Sequence, residues 1–279
     1  MLAAAVSIAS DVFGPHFVAA FAIGSLAHGG FAPLASDVDL ALILREVSAE
    51  TGRKVQEVKS RAVKCSPSGL TERLSIFWSD WAGVRDTPGQ HCRLPAVDRL
   101  DLIDAGRLLC GSDQRSGATP PDRLTLLIEG AQFACTKFDD RYLAALQRTK
   151  DLVAGGPRPT TKAVLFPIRF LYTLASGQIG RNDHAVGWYV EHGAHPRVAQ
   201  AAMLWRHEGI VDLDEAVGIL DRELVGVYEE FFSAYINELG SHGATQIADA
   251  LSARLDALRQ MPPGDPGQRV QTWPPEASA

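Results

Sequence analysis

Residues 20–44 read Ala20-Phe-Ala-Ile-Gly24-Ser25-Leu-Ala-His28-Gly29-Gly30-Phe-Ala-Pro-Leu-Ala-Ser36-Asp37-Val38-Asp39-Leu40-Ala-Leu-Ile-Leu44, and this stretch decides the fold. It carries most of one apolar run, Phe17–Ile23, and all of a second, Val38–Leu44. Each is bounded by Gly or Ser and is long enough for a buried strand. The first run ends in Gly24-Ser25. There a backbone without a Cβ, a hydroxyl and the N–H groups of a short following helix can hold phosphate oxygens. Gly29-Gly30 turns the chain back. Asp37 and Asp39 then open the second strand at alternate positions, which predicts both carboxylates on one face and close together. Two such charges repel and lose hydration, and a cation relieves both costs. Beside phosphate oxygens the hard, oxygen-seeking choice is Mg²⁺. A lone Asp-x-Asp is usually a solvated strand end, but its combination with Gly24-Ser25 and Ser36 between apolar runs is much rarer by chance.

Outward from this stretch, strand and helix signals alternate between about residues 17 and 112. Polar and charged residues between Glu46 and Ala62 alternate with Val55 and Val58 at helical spacing. Leu74–Trp78 reads as a short strand after the turn-rich Ser66-Pro67-Ser68-Gly69, and Leu100–Cys110 reads as helix. Gly111 to Pro121 is the natural linker. Beyond it strand signals nearly vanish, and Leu124–Leu152, Thr161–Ser176, Asp183–His192, Pro196–His207, Leu213–Leu239 and Ala244–Arg259 carry apolar residues at helical spacing. The expected organisation is an α/β domain at 1–113, a linker at 114–122, a helical domain at 123–259 and a Pro/Gly-rich tail at 260–279.

The chain has 279 residues, with 27 Lys and Arg against 33 Asp and Glu, a net charge of −6. Such a surface is a poor electrostatic partner for nucleic acid or anionic lipid, so small solutes are the expected ligands. The four cysteines, Cys65, Cys92, Cys110 and Cys135, lack metal-ligand spacing and read as reduced thiols of a cytoplasmic protein. The first ten residues hold no Lys or Arg, as a secretory leader would require, and the first such side chain is Arg45. Pro15, Gly24, Gly29, Gly30 and Pro33 interrupt the run from Val12 to Ser36, which argues against membrane insertion.

Gly24-Ser25, Gly29-Gly30 and Ser36-Asp37-Val38-Asp39-Leu40 together resemble the signature of the DNA polymerase β-like nucleotidyltransferase superfamily. A second stretch, from Leu165 to Trp188, is similar to the C-terminal helical region of the streptomycin/spectinomycin adenylyltransferases, antibiotic-resistance enzymes in which a corresponding Arg, Tyr, Ser/Thr-Gly, Asp and Trp recur. Here these are Arg169, Tyr172, Ser176-Gly177, Asp183 and Trp188. The resemblance implies an α/β (α+β) nucleotidyltransferase domain with a small mixed sheet flanked by helices, followed by an all-α helical bundle. It implies Mg²⁺-dependent transfer of AMP from ATP, the co-substrate, to a hydroxyl of an aminoglycoside-like small molecule. Asp37 and Asp39 would hold the metal, Gly24, Ser25 and Ser36 the triphosphate, and Asp183 and Tyr172 the acceptor.

The family also carries a third carboxylate on a later strand. Glu72, in phase with Leu74 and Ile76, is the candidate. The usual spacing could instead fall on Arg73 or Ser75, with Asp80 in reserve. Asp98, Asp101 and Asp104 follow helical spacing and are expected to face solvent or pair with Arg99 and Arg107. His28 is expected to be an ordinary loop histidine. Where the resembling enzymes place a substrate-packing Trp, this chain has Leu171, which predicts poor handling of streptomycin. Two alternatives stand beside small-molecule transfer: a protein or other macromolecular acceptor, and a catalytically degenerate nucleotide-binding module.

Overall fold

The computed structural model describes residues 1–65 and 73–261. These form two compact units, one comprising residues 1–31, 36–65 and 73–121, the other residues 32–35 and 122–261.

The first unit contains α1 (Leu2–Phe13), β1 (Phe17–Ile23), β2 (Val38–Leu44), α2 (Thr51–Lys64), β3 (Leu74–Ser79), α3 (Trp81–Arg85), α4 (Ala96–Ala105) and β4 (Arg107–Gly111). The four strands make one mixed sheet in the order β3-β2-β1-β4. β1 runs antiparallel to both β2 and β4, and β2 runs parallel to β3. One face packs Val38, Leu40 and Leu42 of β2 and Leu74 and Ile76 of β3 against Ala5, Ile8, Ala9 and Phe13 of α1 and Val55 and Val58 of α2. The other face packs Phe21, Ile23, Ala41 and Ile43 against Val84 of α3 and Leu102 of α4. Both faces of β1 and β2 are therefore covered, which is why their sequences read as continuous apolar runs rather than alternating ones.

One expected element is corrected. Leu100–Cys110 is not a single helix: α4 starts at Ala96 and ends at Ala105, and Arg107–Gly111 is strand β4. The break falls at Gly106, where a Cβ would meet the Leu102 carbonyl oxygen at 2.5 Å, so only glycine lets the chain fold this tightly off the helix. The segment read as a linker also packs back on the first unit. The Arg115 guanidinium lies 4.9 Å from the Phe21 ring centroid, and its Nη1 donates to the Leu102 carbonyl at 2.7 Å.

Among its described residues the second unit is helical: α5 (Arg123–Lys137), α6 (Asp140–Leu146), α7 (Thr149–Ala154), α8 (Pro157–Ser176), α9 (Asn182–His192), α10 (Pro196–Glu208), α11 (Leu213–Ser241) and α12 (Thr245–Gln260). The expected run Leu124–Leu152 is divided into three helices. Asp122 and Asp139 cap the first two by accepting from the Thr125 and Tyr142 N–H groups, each at 2.7 Å. Phe138 sits at the centre of the core, meeting Tyr228, Phe231 and Phe232 edge-on. The Tyr228 hydroxyl donates to the Ala163 carbonyl at 2.9 Å and accepts from Tyr142 at 2.7 Å, so this buried polar pair is satisfied. Among the described residues no helix is long and apolar enough to cross a membrane.

Candidate active site

The site is built where β1 ends and β2 begins. Antiparallel pairing sets Ile23 opposite Asp39, so the residue after Ile23 lies against the Asp39 side chain. That residue is Gly24, with φ +65°, and a Cβ there would fall 2.6 Å from Asp39 Oδ2. Glycine is thus required twice, once by the left-handed backbone and once by the carboxylate beside it. The chain continues through a tight turn over Gly24–Leu26, with the Ala27 and His28 N–H groups donating to the Gly24 carbonyl at 3.0 and 3.4 Å. Ser25 lies half-buried in this turn, and Ser36 is buried just ahead of β2.

Asp37 directly precedes β2 and Asp39 is its second residue, both half-buried. Val38 between them is packed in the core under α1 and α2. Asp39 shares the opposite face with Ala41 and Ile43, and its neighbour on β3 is Ser75. Half-buried Asp39 beside the glycine turn, with half-buried Asp37 two residues before it, suits Mg²⁺, which takes one or two protein carboxylates and completes its shell with water and phosphate oxygens. Among the described residues no group of three or more His, Cys, Asp or Glu side chains is arranged to hold a metal unaided.

Glu72 lies outside the described residues. Leu74 and Ile76, with which its phase was matched, face the α1–α2 core rather than the side of Asp39. The reserve candidate Asp80 serves a structural role, its Oδ1 accepting the Gly83 N–H at 2.7 Å as the N-cap of α3.

One half of the expectation for Asp101, that it faces solvent, is corrected. It does not face solvent: it is 4% exposed, and its Oδ2 accepts the Gly24 N–H at 2.5 Å. Its other oxygen lies 3.9 Å from His28 Nε2, and both side chains are buried. The physical reason is that α4 packs on the same sheet face that carries Asp39, bringing a helix carboxylate to a loop 77 residues earlier. His28 is correspondingly no loose loop side chain. The one signal in the sequence was a single carboxylate between Leu100 and Leu102, in a helix with one apolar face.

In the second unit, Tyr172 is buried and donates to Gln178 Oε1 at 2.9 Å, with its ring edge-on to Trp188 at 6.2 Å. Asp183, in the first turn of α9, lies 3.3 Å from Arg181 and 3.9 Å from His184. Partial burial pushes its carboxyl up, but the His184 N–H and the charges of Arg181 and His184 outweigh this and hold it below the usual range. Arg206 is 5% exposed; burial and the like charge of Arg169 lower its pKa against the opposing pull of Asp183. Leu171 is packed in the helical core.

No family model and no curated protein sequence matches the chain. Among solved structures it is similar to the spectinomycin adenyltransferase AAD(9) from Enterococcus faecialis, determined with ATP and spectinomycin. The identity is 12%, and the match covers 80% of this chain and 97% of that one with a TM-score of 0.52. Sequence this distant carries the fold alone: the chain shares the fold of that adenyltransferase.

Proposed function

We propose that the protein transfers a nucleoside monophosphate, AMP from ATP, to a hydroxyl of a small aminoglycoside-like molecule. The observation that carries this reading is the placement of a Cβ-free, left-handed Gly24 directly against Asp39 Oδ2. In this reading the turn at Gly24 takes phosphate and the adjoining Asp39 takes the metal. The structural likeness to an adenyltransferase determined with ATP supports it.

Asp37 and Asp39 would hold Mg²⁺, and the bound ion would supply neutralisation of the charge that develops on the phosphate oxygens and a lowered pKa for the attacking hydroxyl. Gly24, Ser25 and Ser36 orient the triphosphate so that the acceptor oxygen and the leaving pyrophosphate lie in line with the α-phosphorus. Glu72 precedes β3, which begins at Leu74, and this reading assigns it the acceptor's proton independently of that strand's phase. Asp183 and Tyr172 contribute to acceptor binding, the Asp183 carboxylate remaining ionised toward an amine or hydroxyl.

The deciding experiment is Mg²⁺-dependent pyrophosphate release from a nucleotide panel, with spectinomycin, streptomycin and a wider aminocyclitol, nucleoside and sugar panel as acceptors. Release that depends on a small-molecule acceptor is expected, with streptomycin handled poorly because Leu171, packed in the helical core, presents it no aromatic face. Tight ATP binding without turnover across the panel would favour a degenerate binding module. Turnover only with a protein acceptor would move the chemistry to a macromolecule.

Two substitutions probe the remaining assignments. Glu72→Gln is expected to depress turnover by about 10²-fold with nucleotide affinity nearly intact, because a general base acts in the transition state. Unchanged turnover would remove it from the mechanism. Asp183→Ala is expected to raise the acceptor KM about tenfold, the order of one charge-assisted contact. Its pairs with Arg181 and His184 are largely exposed and screened, so the melting temperature should fall only slightly, through the buried Arg206 whose charge Asp183 supports. A clear loss of melting temperature with an unchanged KM would make Asp183 a helix-terminus residue only.

A further inference from the structure

Asp101 reaches both ends of the turn between β1 and the aspartate strand. Its Oδ2 takes the N–H of Gly24, the first residue of the turn, at 2.5 Å. Its Oδ1 lies 3.9 Å from Nε2 of His28, where the turn closes. Between those points the Gly24 carbonyl accepts from the Ala27 and His28 N–H groups, so the turn forms a single closed unit with the carboxylate beneath it. Both side chains are more than nine-tenths buried. The unit hangs from α4, a helix fixed to the sheet by Leu102 in the α3–α4 core.

A glycine turn left to itself samples many backbone states, because Gly24 and Gly29 both adopt positive φ and neither carries a Cβ to restrict it. Ordering such a turn at the moment of ligand binding costs conformational entropy, and a turn ordered in advance binds more tightly by that amount. We propose that Asp101, acting with His28, is a positioning residue that holds the Gly24–His28 turn in its phosphate-binding conformation before nucleotide arrives. It also ties the N–H of Gly24, the residue against Asp39, to α4, so the spacing between the turn and the aspartate strand is set from α4. The inference rests on the nucleotidyl-transfer reading for the identity of the ligand. The ordering of the turn itself does not depend on that reading.

The test combines two measurements on the full-length chain. One is the affinity for Mg²⁺ with α,β-methylene-ATP, by calorimetry. The other is amide hydrogen exchange across residues 23–30 in the ligand-free protein. In Asp101→Ala, affinity should fall at least about tenfold and exchange at Gly24 should quicken at least about tenfold, the scale set by losing one charge-assisted hydrogen bond. Asp101→Asn keeps an oxygen acceptor for the Gly24 N–H and should recover most of both. His28→Ala leaves Asp101 in place and should give an intermediate loss, about threefold. It decides the matter if Asp101→Ala does not fold. A residue that is merely structural would lower the melting temperature of the alanine variant while leaving nucleotide affinity and turn exchange at the wild-type level, and that result would overturn the proposal. Equal losses in Asp101→Asn and Asp101→Ala would overturn it as well. If wild-type protein binds no Mg²⁺-nucleotide, the transfer reading fails and the exchange data alone decide whether Asp101 orders the turn. If wild type binds and Asp101→Ala binds equally well, the reading stands and Asp101 has no part in it.

Discussion

Asp39→Asn is expected to lower nucleotidyl transfer by about 10²- to 10³-fold or more while the protein stays folded. The loss follows from charge: asparagine keeps the shape but replaces an anionic oxygen donor with a neutral amide, whose NH₂ repels a cation. Removing one preorganised electrostatic contact of this kind typically costs rates of that order. The fold survives because Asp39 enters the sheet through its backbone, in register with Ile23 and Ser75. The melting temperature should stay close to that of the wild type, because the substitution keeps the side-chain shape and the strand pairing. Initial rates of pyrophosphate release and a thermal melt on the same preparation check both halves. A variant that turns over like wild type, with Mg²⁺ still required, would take Asp39 out of the mechanism.

The strands that build this site were legible in the sequence because burial on both faces leaves a distinctive trace. Phe17–Ile23 and Val38–Leu44 match the observed β1 and β2 residue for residue. The Gly-Ser turn and the Asp-x-Asp pair lie at the ends of those same strands. Their spacing is set by local pairing, so proximity could be inferred without knowing the rest of the chain. Leu100–Cys110 was not legible in the same way. An apolar run of that length suits a helix or a strand equally, and the structure uses its first part as α4 and its last as β4. What separates them is Gly106, a turn signal outweighed by the apolar residues around it.

Asp101 illustrates a different limit. Its helical phase with Asp98 and Asp104 made a solvated acidic face the natural reading, yet what buries it is a backbone N–H in a loop far away in sequence. Nothing local encodes that contact. The same holds for His28, whose neighbours in the chain are small and whose buried partner belongs to α4. Pairwise polar contacts across a sheet are decided by tertiary packing, and the periodicity of one element carries no record of them. In the second unit the helices were legible, but the division of Leu124–Leu152 was not. The caps at Asp122 and Asp139 are short-range signals that a long apolar periodicity obscured.

Gly24→Ala is expected to be nearly as damaging as loss of Asp39, by a separable route. With φ at +65° an alanine costs about 1–2 kcal/mol of backbone strain. Its methyl carbon would also sit 2.6 Å from Asp39 Oδ2, where ordinary contact begins near 3.4 Å, so the carboxylate or the turn must retreat by roughly 0.8 Å. Displacements of that size at a reacting centre cost about 10²-fold in rate, because alignment is lost even when every group is still present. Gly14→Ala provides the comparison. Gly14 also has positive φ, at +52°, but a Cβ there meets nothing within 4 Å, and the residue lies at the end of α1, outside the site. Both alanines should therefore lower the melting temperature by about a few degrees through backbone strain, Gly24→Ala the more because of its added clash. Only Gly24→Ala should lose transfer by about 10²-fold, together with affinity for Mg²⁺-nucleotide. Equal activity in the two variants would mean that the contact between Gly24 and Asp39 is a packing detail, and the phosphate turn would have to be sought elsewhere in the chain.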